Sequence, residues 1–305
     1  MSKKNLILLL ILLLLLGLAS LYQFWWLPRN NSVDQENNFL ATIDFKQIDK
    51  ISVKQAGKET ILNKLGDFWQ VQMKGDWRVN QLLIDTMEQT WQEASSSTLS
   101  LAGNGEEAKK GFKVDEGLLV SLFSGGNQVG SWALGINRFG YTYISPSDSD
   151  KVYEVKGNLR SAFDYQEWRN FLIWNDNFEN FDKLKISRGR EVLSFAKKDG
   201  NWFLTTDNKI KLNQDKVKGI IMAMSGLNAS SLPDDKEVDL KLDKIDLKIE
   251  ASGQDVDNVL SVGQQKMVGN QPAGEFYVKT NKNNNIYLIS KSQFQTLDVG
   301  LQDLQ

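Results

Sequence analysis

The chain has 305 residues, with 36 Lys or Arg and 38 Asp or Glu, so its formal net charge is −2. This balance provides no basic surface for DNA or RNA, and we expect no nucleic-acid partner. The sequence contains no Cys and no His, which excludes disulfides, thiolate catalysis, Cys- or His-ligated metal sites and every His-containing triad.

The first feature along the chain is an apolar segment over residues 6–27. As a helix this segment would be roughly 33 Å long at 1.5 Å per residue, which matches a hydrocarbon core about 30 Å thick. We therefore predict a transmembrane helix within residues 1–28 that anchors the chain in a lipid bilayer. The competing interpretation is a cleaved signal peptide, because Gly17-Leu18-Ala19 resembles a small-x-small cleavage site.

Flanking residues predict how this segment is oriented. Phe24, Trp25 and Trp26 form an aromatic belt at its far end, and we place them at the membrane interface. Lys3 and Lys4 precede the segment and outweigh the single basic residue that follows it, so the positive-inside rule puts the N-terminus in the cytoplasm. The sequence thus predicts a single-pass protein of the cell membrane whose bulk is extracytoplasmic.

After a polar tether at 29–44, the sequence contains two copies of one unit, which we place at 45–175 and 176–305. The matching segments keep the same order and nearly the same separation, which identifies an internal repeat. The clearest pairs are Ile48–Val53 with Phe181–Ile186, Gly66–Val71 with Asp199–Leu204, and Asn80 with Asn213.

Both copies show the same predicted order of elements. Three short β-type runs come first, followed by a helix at 80–94 or 213–227, four further strands and a short closing helix. Gly, Asn and Asp separate the strands at hairpin spacing, which is typical of antiparallel sheet. We predict the α+β class, with an N-terminal transmembrane helix followed by two mainly antiparallel β units that each carry a packed helix.

The tryptophans divide into two groups when the copies are compared. Trp69 and Trp202 occupy equivalent positions, so we expect both to be core anchors. Trp168 and Trp174 have no counterpart, because the second copy ends at Gln305. We expect these two side chains to pack the units together, and the alternative is that they form an interaction surface.

Three patterns with catalytic precedent have simpler structural explanations. Ser194 and Lys197 match Ser-x-x-Lys but fall on a predicted strand, where positions three apart point to opposite faces. The segment 103–108 resembles a dinucleotide fingerprint but lacks a full helix after it. The acidic positions shared by both copies lie beside turns or short helices, where Asp bonds to backbone N–H groups: Asp49 with Asp182, Asp115 with Asp243, and Asp164 with Asp298. We predict no catalytic, metal-binding or cofactor-binding residues and no enzymatic activity; a carboxylate-dependent envelope hydrolase remains a third alternative.

The order of these motifs resembles the bacterial family catalogued as domain of unknown function 4340. The resemblance covers most of residues 45–300, with two departures: Gly111-Phe112 stands where the family usually has Gly-Leu, and Asp239 replaces the glycine in the second copy. The segments that carry it in the first copy are Asp49–Val53, Gly66–Val71, Asn80–Ala94, Gly111–Leu119, Leu134-Gly135, Tyr141–Ile144 and Val152–Val155.

The resemblance implies little chemistry, since no activity or catalytic residues are established for the family. Its members look like membrane-anchored extracytoplasmic proteins, often encoded beside the ATPase, permease and gliding-type auxiliary subunits of ABC transporters. We therefore expect a non-catalytic accessory or scaffold subunit of an ABC-type transport complex that needs no cofactor and has those subunits as partners.

The alternative function is a cell-envelope binding module for glycan or another envelope polymer. This hypothesis uses a groove between the two units and predicts that Trp168 or Trp174 is exposed.

Overall fold

The computed structural model describes residues 35–36, 38–207, 209–233, 242 and 244–305. The predicted anchor, with Phe24, Trp25 and Trp26, lies outside the described residues. Within the part that is described, no helix is both long and apolar enough to cross a membrane.

Antiparallel strands form most of the regular structure. In chain order they are β1 (Gln35–Glu36), β2 (Lys50–Gln55), β3 (Lys58–Leu65), β4 (Phe68–Val71), β5 (Leu99–Asn104), β6 (Leu118–Ser124), β7 (Asn127–Arg138), β8 (Tyr141–Pro146), β9 (Lys151–Lys156), β10 (Leu172–Asn175), β11 (Phe181–Arg188), β12 (Glu191–Lys198), β13 (Asn201–Leu204), β14 (Gly226–Asn228), β15 (Leu247–Gly253), β16 (Val256–Val268), β17 (Gln271–Thr280) and β18 (Ile286–Ser290). The α-helices are α1 (Gln81–Ser95), α2 (Gly105–Gly111), α3 (Leu159–Phe163), α4 (Gln214–Ser225) and α5 (Lys291–Leu297).

The predicted α+β class is wrong: the described fold is mainly antiparallel β sheet. The sequence predicts the corresponding strands at 129–134 and 257–262, but β7 and β16 continue for 12 and 13 residues. The C-terminal end of β16 is mostly exposed and lacks the apolar alternation that identifies strands in a sequence. Its pairing with β17 nevertheless continues to Val268.

The first compact unit, called unit 1, comprises the described residues up to Lys64 together with Leu82–Gln166. Its strands follow the order β1-β5-β9-β8-β7-β6-β2-β3. Helix α1 buries one face, and its Trp91 ring lies 5.3 Å from the ring of Trp132 on β7. The core of unit 1 is therefore formed between this helix and the sheet.

The second compact unit, called unit 2, comprises Leu65–Gln81 together with the described residues of Glu167–Gln305. Its main sheet has the order β13-β12-β11-β15-β16-β17-β18, and β10 pairs with β14. Helix α4 begins after Asn213, whose side chain accepts a hydrogen bond from the Lys216 N–H at 3.2 Å. Asn213 therefore caps the helix.

The internal repeat is confirmed by the strand order. The series β3-β2-β6-β7-β8-β9 in unit 1 corresponds element by element to β12-β11-β15-β16-β17-β18 in unit 2. Trp69 and Trp202 are both buried, as expected of core anchors. The same sequence pattern has therefore formed the same antiparallel sheet order twice.

The compact units do not follow the predicted boundary at 175/176. Segment 65–81 belongs to the first copy by sequence but lies in unit 2. The Asn170 N–H donates to the Arg78 carbonyl at 2.8 Å, and the Asn80 N–H donates to the Trp168 carbonyl at 2.9 Å. These backbone bonds place the segment beside the chain that leads into β10.

Candidate functional site

Unit 2 contains a cleft of about 720 Å³. Its walls come from three parts of the chain: segment 65–81, residues 170–174, and the loop at 282–285 with Tyr287 at the start of β18. All three belong to unit 2. The cleft thus depends on packing the segment from the first copy against the second.

One wall is held by the side chain of Asn285. Its Oδ1 accepts from the Asp76 N–H at 2.9 Å, and its Nδ2 donates to the Asp76 carbonyl at 3.1 Å. Gly75 permits this approach, because its φ is +99° and a Cβ there would lie 2.9 Å from Asn285 Oδ1. The amide therefore fastens the loop at 282–285 to segment 65–81.

A second amide orders the same loop. Asn283 Oδ1 accepts from the Asn285 N–H at 3.0 Å, and Asn283 Nδ2 donates to Tyr287 Oη at 3.0 Å. The Tyr287 ring packs edge-on against Trp77, with 5.2 Å between centroids. Both rings are buried, so they form an apolar contact beside the polar loop.

Three of the exposed side chains that line the cleft carry a charge: Asp76, Arg78 and Lys282. The Arg78 guanidinium lies 4.3 Å from the Phe68 ring centroid, a cation–π arrangement that fixes its orientation. Lys282 and Asn284 are exposed on the loop, and Asp76 is exposed on the opposite segment. Within the described residues, neither Arg78 nor Lys282 forms an ion pair. Both cations are available to a ligand.

A smaller cavity of about 210 Å³ shares the Trp77 wall. It is also lined by Arg169, which is 9% exposed and lies 4.9 Å from the Trp77 ring centroid. Arg169 donates to both carboxylate oxygens of Glu167, at 2.8 and 2.6 Å, and to the Pro233 carbonyl at 3.3 Å. This cation is neutralised within the protein, which indicates a structural role.

The ion pair also affects the acidity of Glu167. Burial acts to raise the pKa of this carboxyl, but hydrogen bonds and the charge of Arg169 outweigh burial and hold the pKa below its ordinary value of 4.5. A depressed pKa in the folded state stabilises the fold above the unfolded pKa. That stabilisation is lost as the pH falls through the folded pKa.

We expect Glu167→Gln to lower the free energy of unfolding by about 1 kcal/mol at neutral pH, since a charge-assisted pair is lost next to buried Arg169. The difference between wild type and variant should shrink as the pH falls below 4.5, measured by urea unfolding across pH. Glu191→Gln is the control, because Glu191 contacts Arg188 only at 3.8 Å on the surface. A difference for Glu167→Gln that stays constant with pH would contradict this assignment.

The structure places the sequence-predicted interaction residues inside unit 2. Trp168 is 4% exposed and Trp174 is 5% exposed. The envelope-binding hypothesis required one of these rings at the surface, and neither is there. Trp174 nevertheless lines the cleft, and its Nε1 is buried with no hydrogen-bond partner in the described part of the chain.

The patterns set aside in the sequence have structural partners. Ser194 and Lys197 lie on strand β12, and Lys197 Nζ pairs with Glu179 Oε2 at 3.0 Å. The fingerprint-like segment at 103–108 leads into α2, which has only 7 residues. Asp49 Oδ2 accepts from the Gly125 N–H at 2.6 Å, as expected for a turn residue.

The sequence analysis did not identify the charged residues that line the cleft. No sequence pattern identifies Arg78 or Lys282, because each is a single basic residue in a chain with balanced charge. The available signal was the run Asn281-Lys282-Asn283-Asn284-Asn285, an unusual density of amides in one turn. Its partner across the cleft comes from the other copy, and no local pattern connects the two.

Comparison with known families finds one match. The model of the family Domain of unknown function (DUF4340) matches residues 69–245 and, in a second overlapping match, residues 202–305. No curated protein and no solved structure matches the chain significantly. Together the two family matches extend over more than half of the chain, and their overlap agrees with the internal repeat. The chain therefore belongs to the family Domain of unknown function (DUF4340).

Proposed function

We propose that the chain is a non-catalytic accessory or scaffold subunit of an ABC-type transport complex, located at the cell membrane with its folded units on the extracytoplasmic side. The observation that supports this is the tandem scaffold, in which six antiparallel strands recur in the same sheet order. Sheets joined by short turns provide rigid surfaces on which other subunits can assemble. The proposed partners are the permease, the ATPase or gliding-type auxiliary subunits.

The test is mild crosslinking of the full-length chain in cells, followed by detergent extraction, affinity purification and mass spectrometry. We expect enrichment of a permease and its ATPase over the same purification without crosslinker. Enrichment of neither would overturn the accessory-subunit proposal. Separately, a C-terminal reporter active only in the cytoplasm should stay silent; activity would overturn the extracytoplasmic location.

A second candidate function is a binding module for a cell-envelope polymer, and the cleft of unit 2 favours it. The cleft combines free cations, amides and apolar side chains within one compact unit. Burial of Trp168 and Trp174 removes the aromatic surface on which this hypothesis first rested. Co-sedimentation of the full-length chain with insoluble envelope polymer would support it, whereas a chain that remains in the supernatant would contradict it.

A further inference from the structure

We infer that the cleft of unit 2 binds an acidic saccharide, with Arg78 and Lys282 receiving its carboxylate groups and the surrounding amides receiving its hydroxyls. This inference rests on the second proposed function, the binding of an envelope polymer, and specifies the chemistry of its ligand.

The charged groups select an anion. The exposed Arg78 guanidinium lies 4.3 Å from the Phe68 ring centroid and forms no ion pair among the described residues, so its N–H groups can donate to a carboxylate. Lys282 supplies a second exposed cation from the loop at 282–285. Among the described residues that line the cleft, Asp76 is the only carboxylate, so the described cations outnumber the described anions.

The amides select a polyhydroxyl ligand. An amide side chain both donates and accepts hydrogen bonds, as a sugar hydroxyl does. Asn284 is exposed in the cleft, and Gln70 and Asn170 line it. Asn170 Oδ1 accepts from the Leu172 N–H at 2.9 Å, which orients the side chain and leaves its Nδ2 for a ligand. The cleft therefore contains donors and acceptors in addition to its cations.

The cleft has the size and the apolar contacts that an oligosaccharide needs. Its volume of about 720 Å³ is far larger than a lone inorganic anion and falls within the usual range for organic ligands. Leu65 and Leu172 are exposed along its lining and provide surfaces for the C–H faces of sugar rings. The loop that presents Lys282 and Asn284 is already ordered by the bonds of Asn283 and Asn285, so binding orders few groups.

The test is isothermal titration calorimetry of the full-length chain with tetragalacturonate, with neutral maltotetraose and with sodium sulfate. We expect binding of tetragalacturonate that weakens as salt is raised, and at least about tenfold weaker binding of maltotetraose. The double variant Arg78→Ala/Lys282→Ala should lose at least about tenfold in affinity for tetragalacturonate.

The matched control is Lys211→Ala/Lys291→Ala, which removes two exposed lysines of unit 2 that do not line the cleft. This control should bind within about twofold of wild type, because screened surface charges outside the site contribute little. Asn284→Ala tests the site without changing its charge and should also weaken binding, with an unchanged circular dichroism spectrum.

The outcomes separate this inference from the function on which it rests. Equal binding of maltotetraose would overturn the inference that the ligand is acidic, while it would support a polymer-binding module. Sulfate binding as strong as that of tetragalacturonate would overturn the inference that the ligand is a saccharide and would indicate a site for free anions. If neither saccharide binds, the inference is overturned. Co-sedimentation with envelope polymer would then decide the proposed function independently.

Discussion

Replacing Trp202 by Ala is expected to lower the free energy of unfolding of unit 2 by about 4 kcal/mol. Trp202 is 1% exposed on β13 and ranks among the bulkiest fully buried side chains of the described chain. Its Nε1 makes no hydrogen bond within the described residues, so the loss would come from packing and the cavity left behind. Hydrogen–deuterium exchange followed by mass spectrometry would report this for unit 2 separately.

The matched control is Phe203→Ala. Phe203 is the next residue on the same strand, but it is 37% exposed and points to the other face of the sheet. Its removal should cost no more than about 1 kcal/mol, since little buried area is lost. Equal destabilisation by the two variants would contradict the assignment of Trp202 as the core anchor.

Replacing Gly253 by Ala is expected to destabilise unit 2 by about 3 kcal/mol, because the new methyl group would overlap the backbone of a neighbouring segment. A Cβ at this position would lie 1.9 Å from the Asn180 carbonyl oxygen and 2.9 Å from the Asp182 nitrogen. Gly253 pairs with Phe181 where the register of β11 and β15 shifts. The backbone would have to move apart at the end of this strand pair.

Gly219→Ala provides a control of the same chemistry. Gly219 lies inside helix α4, and a Cβ there would meet no atom within 4 Å. Its replacement should stabilise the protein by about 0.5–1 kcal/mol, because Ala loses less backbone entropy in a helix than Gly. Urea unfolding of both variants should therefore give shifts of opposite sign; a stable Gly253→Ala variant would contradict the close contact.

The agreement between sequence and structure is best where the signal is local. Hairpin turns marked by Gly and Asp predicted consecutive antiparallel strands, and the order of strands is the same in both copies. The positions of α1 and α4 were predicted closely, although α4 ends at Ser225 rather than 227 because β14 begins at Gly226. Alternation and turn chemistry determine these features within a few residues of each position.

The predicted strand lengths were wrong where a strand continues beyond its local apolar pattern. Short apolar runs identified β7 and β16 but not their full length, because hydrogen bonding continues into polar residues. Trp168 and Trp174, which we expected to pack the units together, are both buried in unit 2, and their burial removes the alternative of an exposed interaction surface. A missing counterpart in the other copy says nothing about whether a ring finds neighbours in the fold.

By itself, the sequence determined the repeat, the succession of mainly antiparallel strands in each copy and the core role of Trp69 and Trp202. These follow from turn residues and apolar spacing, which act over short stretches of chain. Only the tertiary structure decided that segment 65–81 belongs to unit 2 and that its Arg78 lines the same cleft as Lys282. The physical reason is that the buried side chains of Trp77 and Tyr287, and the Asn285 bonds to Asp76, join parts of the chain separated by about two hundred residues. No local pattern specifies such contacts.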